Sequence, residues 1–398
     1  MRRRLIAVSV FVAACASAGP PPGGPEDRTP PQLVRVTPDT NAVNVTAREA
    51  VFVFDETIND RGTDAQDVAN MFLVSPSDGA PRVDYHRSRI EVRPRHGFRP
   101  NTAYTITLLP GLSDLRSNTM KAGATVVFST GPTIPTARIT GIAFDWVAGQ
   151  PAARALVEAT TPDSVVYLAQ ADSTGRFSVG PLSPGSYLVR ATIDQNNNHR
   201  ADRGESWDSL RVSAPSGAPI ELLAASRDTL PARLGSVSVA DSVTLRLTFD
   251  RLLDPTQQFA LTGFRVAGAD SVPIGLTAVR TPAQEAELAL TRQRQTADSV
   301  RRADSLAGRQ LPPVQPPAPS AQDSLPKPSR AAPFTSLSLV LARPLAPSTS
   351  YRVRVTTVRA LNGLTTESER QFTTPRAGAP RAPADTAAPR GAAPPARQ

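Results

Sequence analysis

From residue 31 to about residue 132 the apolar residues of this chain come in runs of strand length. These runs are Gln32-Leu33-Val34-Arg35-Val36, Ala50-Val51-Phe52-Val53-Phe54, Phe72-Leu73-Val74, Arg89-Ile90-Glu91-Val92, Tyr104-Thr105-Ile106-Thr107-Leu108 and Thr125-Val126-Val127-Phe128. They are rich in β-branched and aromatic residues, and clusters of Pro, Gly, Asn and Asp cut them apart. That punctuation predicts an antiparallel β-sandwich. Within it, strand alternation turns Ile90 and Val92 inward and leaves Arg89, Glu91 and Arg93 outside.

The opening Thr29-Pro30-Pro31-Gln32-Leu33-Val34, the central Val51-Phe52-Val53-Phe54-Asp55-Glu56 and the closing Pro100-Asn101-Thr102-Ala103-Tyr104-Thr105-Ile106 with Phe128-Ser129-Thr130-Gly131 resemble the bacterial Ig-like domain of the S-layer-protein (SbsA) type. The resemblance covers about a hundred residues. It implies a structural module with no chemistry of its own.

A different sandwich pattern follows over 137–225. Its runs include Arg138-Ile139-Thr140-Gly141-Ile142-Ala143, Ala155-Leu156-Val157-Glu158-Ala159 and Val165-Val166-Tyr167-Leu168-Ala169. The polar turn Asp172-Ser173-Thr174-Gly175 before Phe177, paired with Leu182-Ser183-Pro184-Gly185-Ser186-Tyr187, is similar to the carboxypeptidase-regulatory-like and SdrD B-like families. That resemblance implies a small prealbumin-like sandwich without catalytic residues.

Over 230–375 the first pattern returns. Leu245-Arg246-Leu247-Thr248-Phe249-Asp250 echoes the run ending at Asp55, and Leu345-Ala346-Pro347-Ser348-Thr349-Ser350-Tyr351 echoes the run ending at Tyr104. Phe372-Thr373-Thr374 closes the second copy as Phe128-Ser129-Thr130 closes the first. The second copy carries an insertion, 284–333, at the place of a hairpin tip, where added length costs little because loop-closure entropy grows slowly. The insertion opens with good helix formers that have a thin apolar face, a marginal helix when alone, and reads as a mobile projection.

The chain has 40 Pro and 24 Gly. Proline crowds into 19–31, 312–333 and 375–398, which marks a tether over 15–31, the insertion, and a disordered tail over 376–398. The remainder can fold as three domains, 32–132, 137–225 and 230–375. The expected fold class is all-β: tandem Ig-like and prealbumin-like sandwiches with a disordered tether, insertion and tail.

The N-terminus, Arg2-Arg3-Arg4 followed by the apolar run from Leu5 to Ala14, reads as a secretory signal peptide over 1–14, being shorter than the roughly 20 residues a membrane span needs. Val12-Ala13-Ala14-Cys15 resembles a bacterial lipobox, which implies cleavage before Cys15 and lipidation of its thiol and new amino group. Cys15 is the single cysteine of the chain. The alternative is ordinary cleavage near Ala16 to Ala18 that leaves a free thiol. By resemblance to lipoprotein sorting, Ala16 after Cys15 favours the outer membrane, so the expected partner is a membrane, reached through the lipid anchor. With no second cysteine, no domain can be closed by a disulfide.

Residues 194–205 form one constellation with ligand chemistry. Asp194, Asn196, Asn198, Asp202 and Glu205 stand at positions one, three, five, nine and twelve, the offsets by which an EF-hand-type loop wraps calcium, and Arg200 at position seven supplies its backbone carbonyl. The loop also resembles the calcium element of the SdrD B-like family, which implies Ca2+ as cofactor here. His199 departs at position six, where Gly eases a positive-φ turn, and Arg200 and Arg203 oppose a cation. The alternative is a polar connection in which Asp and Asn cap their own backbone.

The net charge of +9 in an exported chain suits an anionic envelope surface. No basic stripe interleaved with aromatics marks a nucleic-acid binder. Nor does the sequence show a zinc-ligand spacing around His86, His96 or His199, a nucleophile elbow or a phosphate-cradling loop, so no enzyme is expected. Asp55, Glu56 and Asp250 read as polar ends of core strands. The expected role is structural or adhesive, toward an envelope protein or glycan of unknown identity. The rival role is carbohydrate binding, through Trp146 or Trp207 stacking on a sugar face or through the sandwich loops.

Overall fold

Short alternating runs become strands throughout. The computed structural model of the chain describes residues 26–59, 68–268, 270–306 and 325–376, and of 300–306 only the backbone. The signal peptide, Cys15 and the tail from 377 lie outside the described residues. One compact unit is formed by Asp78–Ile134 with the chain up to Val74, and a second by Pro135 onward with Ser75–Ser77.

In the first unit one sheet has the spatial order Leu33–Thr37, Ala50–Phe54, Arg89–Arg93, Arg82–His86, and the other the order Phe72–Ser75, Ala103–Leu108, Ala124–Ser129. Their inner faces share a core that includes Phe52, Phe72, Ile90, Val92, Tyr104, Ile106 and Phe128. Ile90 and Val92 are fully buried while Arg89 is exposed, as period-two alternation requires. The strand Arg82–His86 (RVDYH) has no counterpart among the runs read from the sequence. It is a polar edge strand, and its alternation rests on partly buried Val83 and Tyr85. Residues 26–31, expected to belong to the tether, are fastened to this unit: Pro31 is buried, and Asn118 Nδ2 donates to the Asp27 carbonyl at 3.1 Å.

The second unit holds two sandwiches. In one, Val166–Gln170, Leu156–Thr160, Gly185–Thr192 and Trp207–Ala214 face a sheet of Arg176–Leu182, Ala137–Asp145 and Ile220–Ala224. Ile139, Val157, Val179, Val189 and Leu222 fill the space between them. Ile220–Ala224 pairs in parallel with Ala137–Asp145, which no local pattern foretells. In the other sandwich the sheets have the orders Leu234–Asp241, Thr244–Leu253, Phe334–Leu341, Leu276–Arg280 and Pro273–Ile274, Phe264–Gly268, Ser350–Val355, Ser368–Thr373.

The two Ig-like copies repeat each other at several matched bonds. Leu33 pairs with Phe54 and Leu234 with Phe249, and in both the register slips at the next step, a β-bulge at Val34 and at Gly235. Past that pair, Asp55 Oδ1 accepts the Gln32 N–H at 2.8 Å, and Asp250 Oδ1 accepts the Arg233 N–H at 2.7 Å. The corners also match. The Tyr104 hydroxyl accepts the Arg99 N–H at 2.8 Å and the Tyr351 hydroxyl the Ala346 N–H at 3.0 Å. Thr130 and Thr374 then tie the same corners through bonds to the Thr102 and Thr349 N–H groups, at 3.0 and 2.9 Å.

Leu276–Arg280 and Phe334–Leu341 are paired neighbours, so the extra segment of the second copy does leave from a hairpin. It begins as the helix Pro282–Leu306, the one α-helix among the described residues, capped by reciprocal bonds between Thr281 and Gln284 at 2.9 and 3.3 Å. Its described return, 325–333, is docked. The Ser329 N–H donates to Glu221 Oε1 at 2.6 Å, and the Trp146 indole N–H donates to the Ala331 carbonyl at 3.0 Å. At this end the expected free projection is replaced by packing against the prealbumin-like sandwich. No described helix is long and apolar enough to cross a membrane.

Candidate metal centre

The loop 194–205 joins two adjacent antiparallel strands, whose last pair is Thr192 opposite Trp207, and the ladder continues one step through Ile193 N–H to Ser206 O at 2.8 Å. Its ends are therefore held together before any ligand enters. Every oxygen-bearing side chain named from the spacing joins one network. Asp194 accepts from the Asn198 N–H at 3.2 Å and the His199 N–H at 2.8 Å. Asn196 Oδ1 accepts from the Asn198 N–H at 3.1 Å, and Asn198 Oδ1 from the Arg200 N–H at 2.8 Å. Asp202 Oδ2 accepts from the amide nitrogens of Asn196 and Asn198, at 2.9 and 2.7 Å. Glu205, 8% exposed, accepts from the Gln195 N–H at 3.1 Å and the Asp202 N–H at 3.0 Å.

His199 adopts the left-handed conformation that the glycine of such loops supplies, with φ 55°, and Asn197 and Gly204 are also left-handed, at 53° and 93°. Burial pushes the His199 imidazole below its usual pKa, while Asp194 opposes that shift. Bonds from Asn196 and then Asn198 hold Asp202 below the usual carboxylate range. Two aspartates, a glutamate and two amide oxygens make a hard-oxygen donor set, which suits calcium. In the form described, Asx-type bonds close the loop, and a cation at Asp202 Oδ2 must displace two amide N–H groups.

A second carboxylate group went unread in the sequence. Asp27, Glu56 and Asp114 place ligand atoms within 4.8 Å of one another. Asp27 precedes the first strand, Glu56 follows the second, and Asp114 lies in the loop after Ala103–Leu108. No spacing motif links three segments so far apart. Asp55, read from the sequence as the polar end of a core strand, closes that strand end by accepting the Gln32 N–H.

Neither tryptophan offers an open ring. Trp146, 9% exposed, packs with Phe144, Leu223 and Ala225. Over Trp207 lie the Arg190 and Arg227 guanidiniums, 4.5 and 4.2 Å from the ring centroid. His96 Nδ1 is 3.0 Å from Asp78, and His86 Nε2 is 3.8 Å from Glu91.

No curated protein matches this chain. Among solved structures, it is similar at 14% identity to an L,D-transpeptidase from Mycobacterium smegmatis, over 47% of this chain and 75% of that one, with a TM-score of 0.19. It is also similar to the N-terminal part of the bacterial S-layer protein SbsC at 12% identity, over 49% of this chain and 43% of that one. The TM-score is again 0.19. A longer S-layer structure, rSbsC(31-844), is 9% identical over 88% of this chain and 55% of that one, with the same TM-score of 0.19. Likeness at that level says nothing about what this chain does. The firmer finding concerns the first sandwich alone: residues 27–130 match the family described as bacterial Ig-like domain.

Proposed function

We propose that the chain is a non-enzymatic, lipid-anchored protein of the bacterial outer membrane that presents β-sandwich domains for structural or adhesive contacts. The observation that carries this reading is the doubled Ig-like architecture. Two copies share their bulge, their strand-end aspartate and their tyrosine and threonine corners. Such modules fix the spacing and presentation of a surface. The bacterial Ig-like match over 27–130 supports an extracellular or envelope-associated location. The finer assignments rest on the sequence: Cys15 after a short apolar leader for the anchor, and SbsA-type and carboxypeptidase-regulatory-like patterns for the modules. The carbohydrate-binding alternative finds less support in the tryptophans, since both rings are engaged.

Metabolic palmitate labelling with membrane fractionation tests the anchor. Wild type should be labelled and pellet with outer membranes, and Cys15→Ser should lose both properties; an unlabelled, soluble wild type contradicts the proposal.

The prealbumin-like sandwich would take calcium at Asp194, Asn196, Asn198, Asp202 and Glu205, with the Arg200 carbonyl completing the set, and the ion would stiffen the connection between two strands. Hydrogen exchange over 193–206 should slow on adding calcium to wild type but not to Asp202→Asn. Equal exchange with calcium and with chelator would remove this part of the reading.

A further inference from the structure

The two Ig-like copies differ in charge at one place, and the second copy shows what belongs there. Leu33 opposite Phe54 corresponds to Leu234 opposite Phe249. Counting outward from those pairs, Asp27 corresponds to Asp228, Asp55 to Asp250 and Glu56 to Arg251. Each pair of aspartates confirms the alignment: Asp27 and Asp228 both accept the N–H two residues on, at 3.0 Å, and Asp55 and Asp250 both accept the N–H of the residue just before the paired leucine. The bridge of Ile58 with Asp114 corresponds to that of Leu253 with Ala360, which places Asp114 at Ala360.

In the second copy the cation is a side chain. Arg251 Nε donates to Asp228 Oδ2 and Nη1 to Asp250 Oδ2, both at 2.5 Å, so one guanidinium ties the lead-in segment to the end of the second strand. In the first copy the same two aspartate positions are kept. The arginine has become Glu56, and a further carboxylate, Asp114, replaces an alanine. Four carboxylates therefore stand where the repeat has two carboxylates and a guanidinium.

These groups are fixed in place. Asp114, 1% exposed, accepts the Arg116 and Asn118 N–H groups and Asn118 Nδ2, each at 2.8 Å. Asp27 Oδ1 takes the Thr29 N–H and hydroxyl at 3.0 and 2.6 Å. The nearby basic group is exposed Arg116, which acts on Asp27. Among the described residues Glu56 has no such relief. Burial, then Asp114, Asp27 and Asp55, push its carboxyl above the usual range.

We propose that the first Ig-like domain binds a hard divalent cation between the carboxylates of Asp27, Glu56 and Asp114, filling the place that the Arg251 guanidinium fills in the second. The ion would fasten the lead-in segment, the second strand and the loop carrying Asp114 together. An all-carboxylate set favours calcium over softer metals, with water completing the shell. The site is independent of the loop 194–205 and of the anchor at Cys15.

The test is hydrogen exchange of the full chain in calcium or in chelator, read over 26–34, 54–59 and 110–119. At calcium about a hundred times the dissociation constant, opening of these segments should be about a hundredfold rarer. The slowing should persist in Asp202→Asn, which leaves this site intact. It should vanish in Glu56→Gln and in Glu56→Arg, the latter protected without calcium because it installs the repeat's own cation. No calcium-dependent change over these segments in wild type overturns the proposal, as does a change that survives Glu56→Gln.

Discussion

Individual carboxylates fasten turns of this chain by accepting backbone N–H groups. Asp172, in the turn before Phe177, accepts from the Thr174 N–H and hydroxyl, both at 2.8 Å, and from the Arg176 N–H at 3.0 Å, while Gly175 supplies the left-handed step at φ 76°. Burial opposes its ionisation, but these bonds outweigh burial and hold its pKa below the usual value. A depressed carboxylate contributes stability that is present above the unfolded-state pKa of about 3.9 and is lost as pH falls through the lower folded value. The urea midpoint of the prealbumin-like sandwich should therefore fall on acidification in wild type and fall less steeply in Asp172→Asn. Identical slopes would show that the turn does not depend on this charge. That turn was legible in the sequence because Asp, Thr and Gly each have a local backbone role. The group of Asp27, Glu56 and Asp114 was not, because tertiary folding alone brings its members together. One signal was present: laying the two repeats side by side sets Glu56 against Arg251.

Among elements, what could be read depended on where the pairing information lies. Strands with one buried face, such as Arg89–Arg93 and Ala103–Leu108, declare themselves by alternation. Trp207–Ala214 and Ile220–Ala224 were passed over. The first is an edge strand of mixed polarity, and the second is a short apolar run whose parallel partner lies far back in the chain. The inserted segment divides into two parts by the same logic. Its helix Pro282–Leu306 leaves Leu290 54% exposed, while 325–333 is held by Glu221 and Trp146. Replacing 284–324 with a short Gly-Ser linker should change the unfolding free energy by no more than about 1 kcal/mol, since closure entropy varies slowly with loop length. A larger loss in denaturant titration would mean that the helix supports the sandwich.

At the scale of the whole molecule, under the proposed function the domains are passive parts strung along the chain. The core of each sandwich is ordinary packed hydrocarbon, the repeated corners are bonds between tyrosine or threonine hydroxyls and the backbone, and both proposed ion sites would brace loops. With that architecture, location determines role, and location rests on Cys15. The decisive measurement is the intact mass of the mature N-terminal peptide from protein expressed in a diderm host. The peptide is predicted to begin at Cys15 and to carry the added mass of fatty acyl chains, which Cys15→Ser abolishes. A mature chain beginning beyond Cys15, or one carrying an unmodified Cys15 thiol, would contradict it.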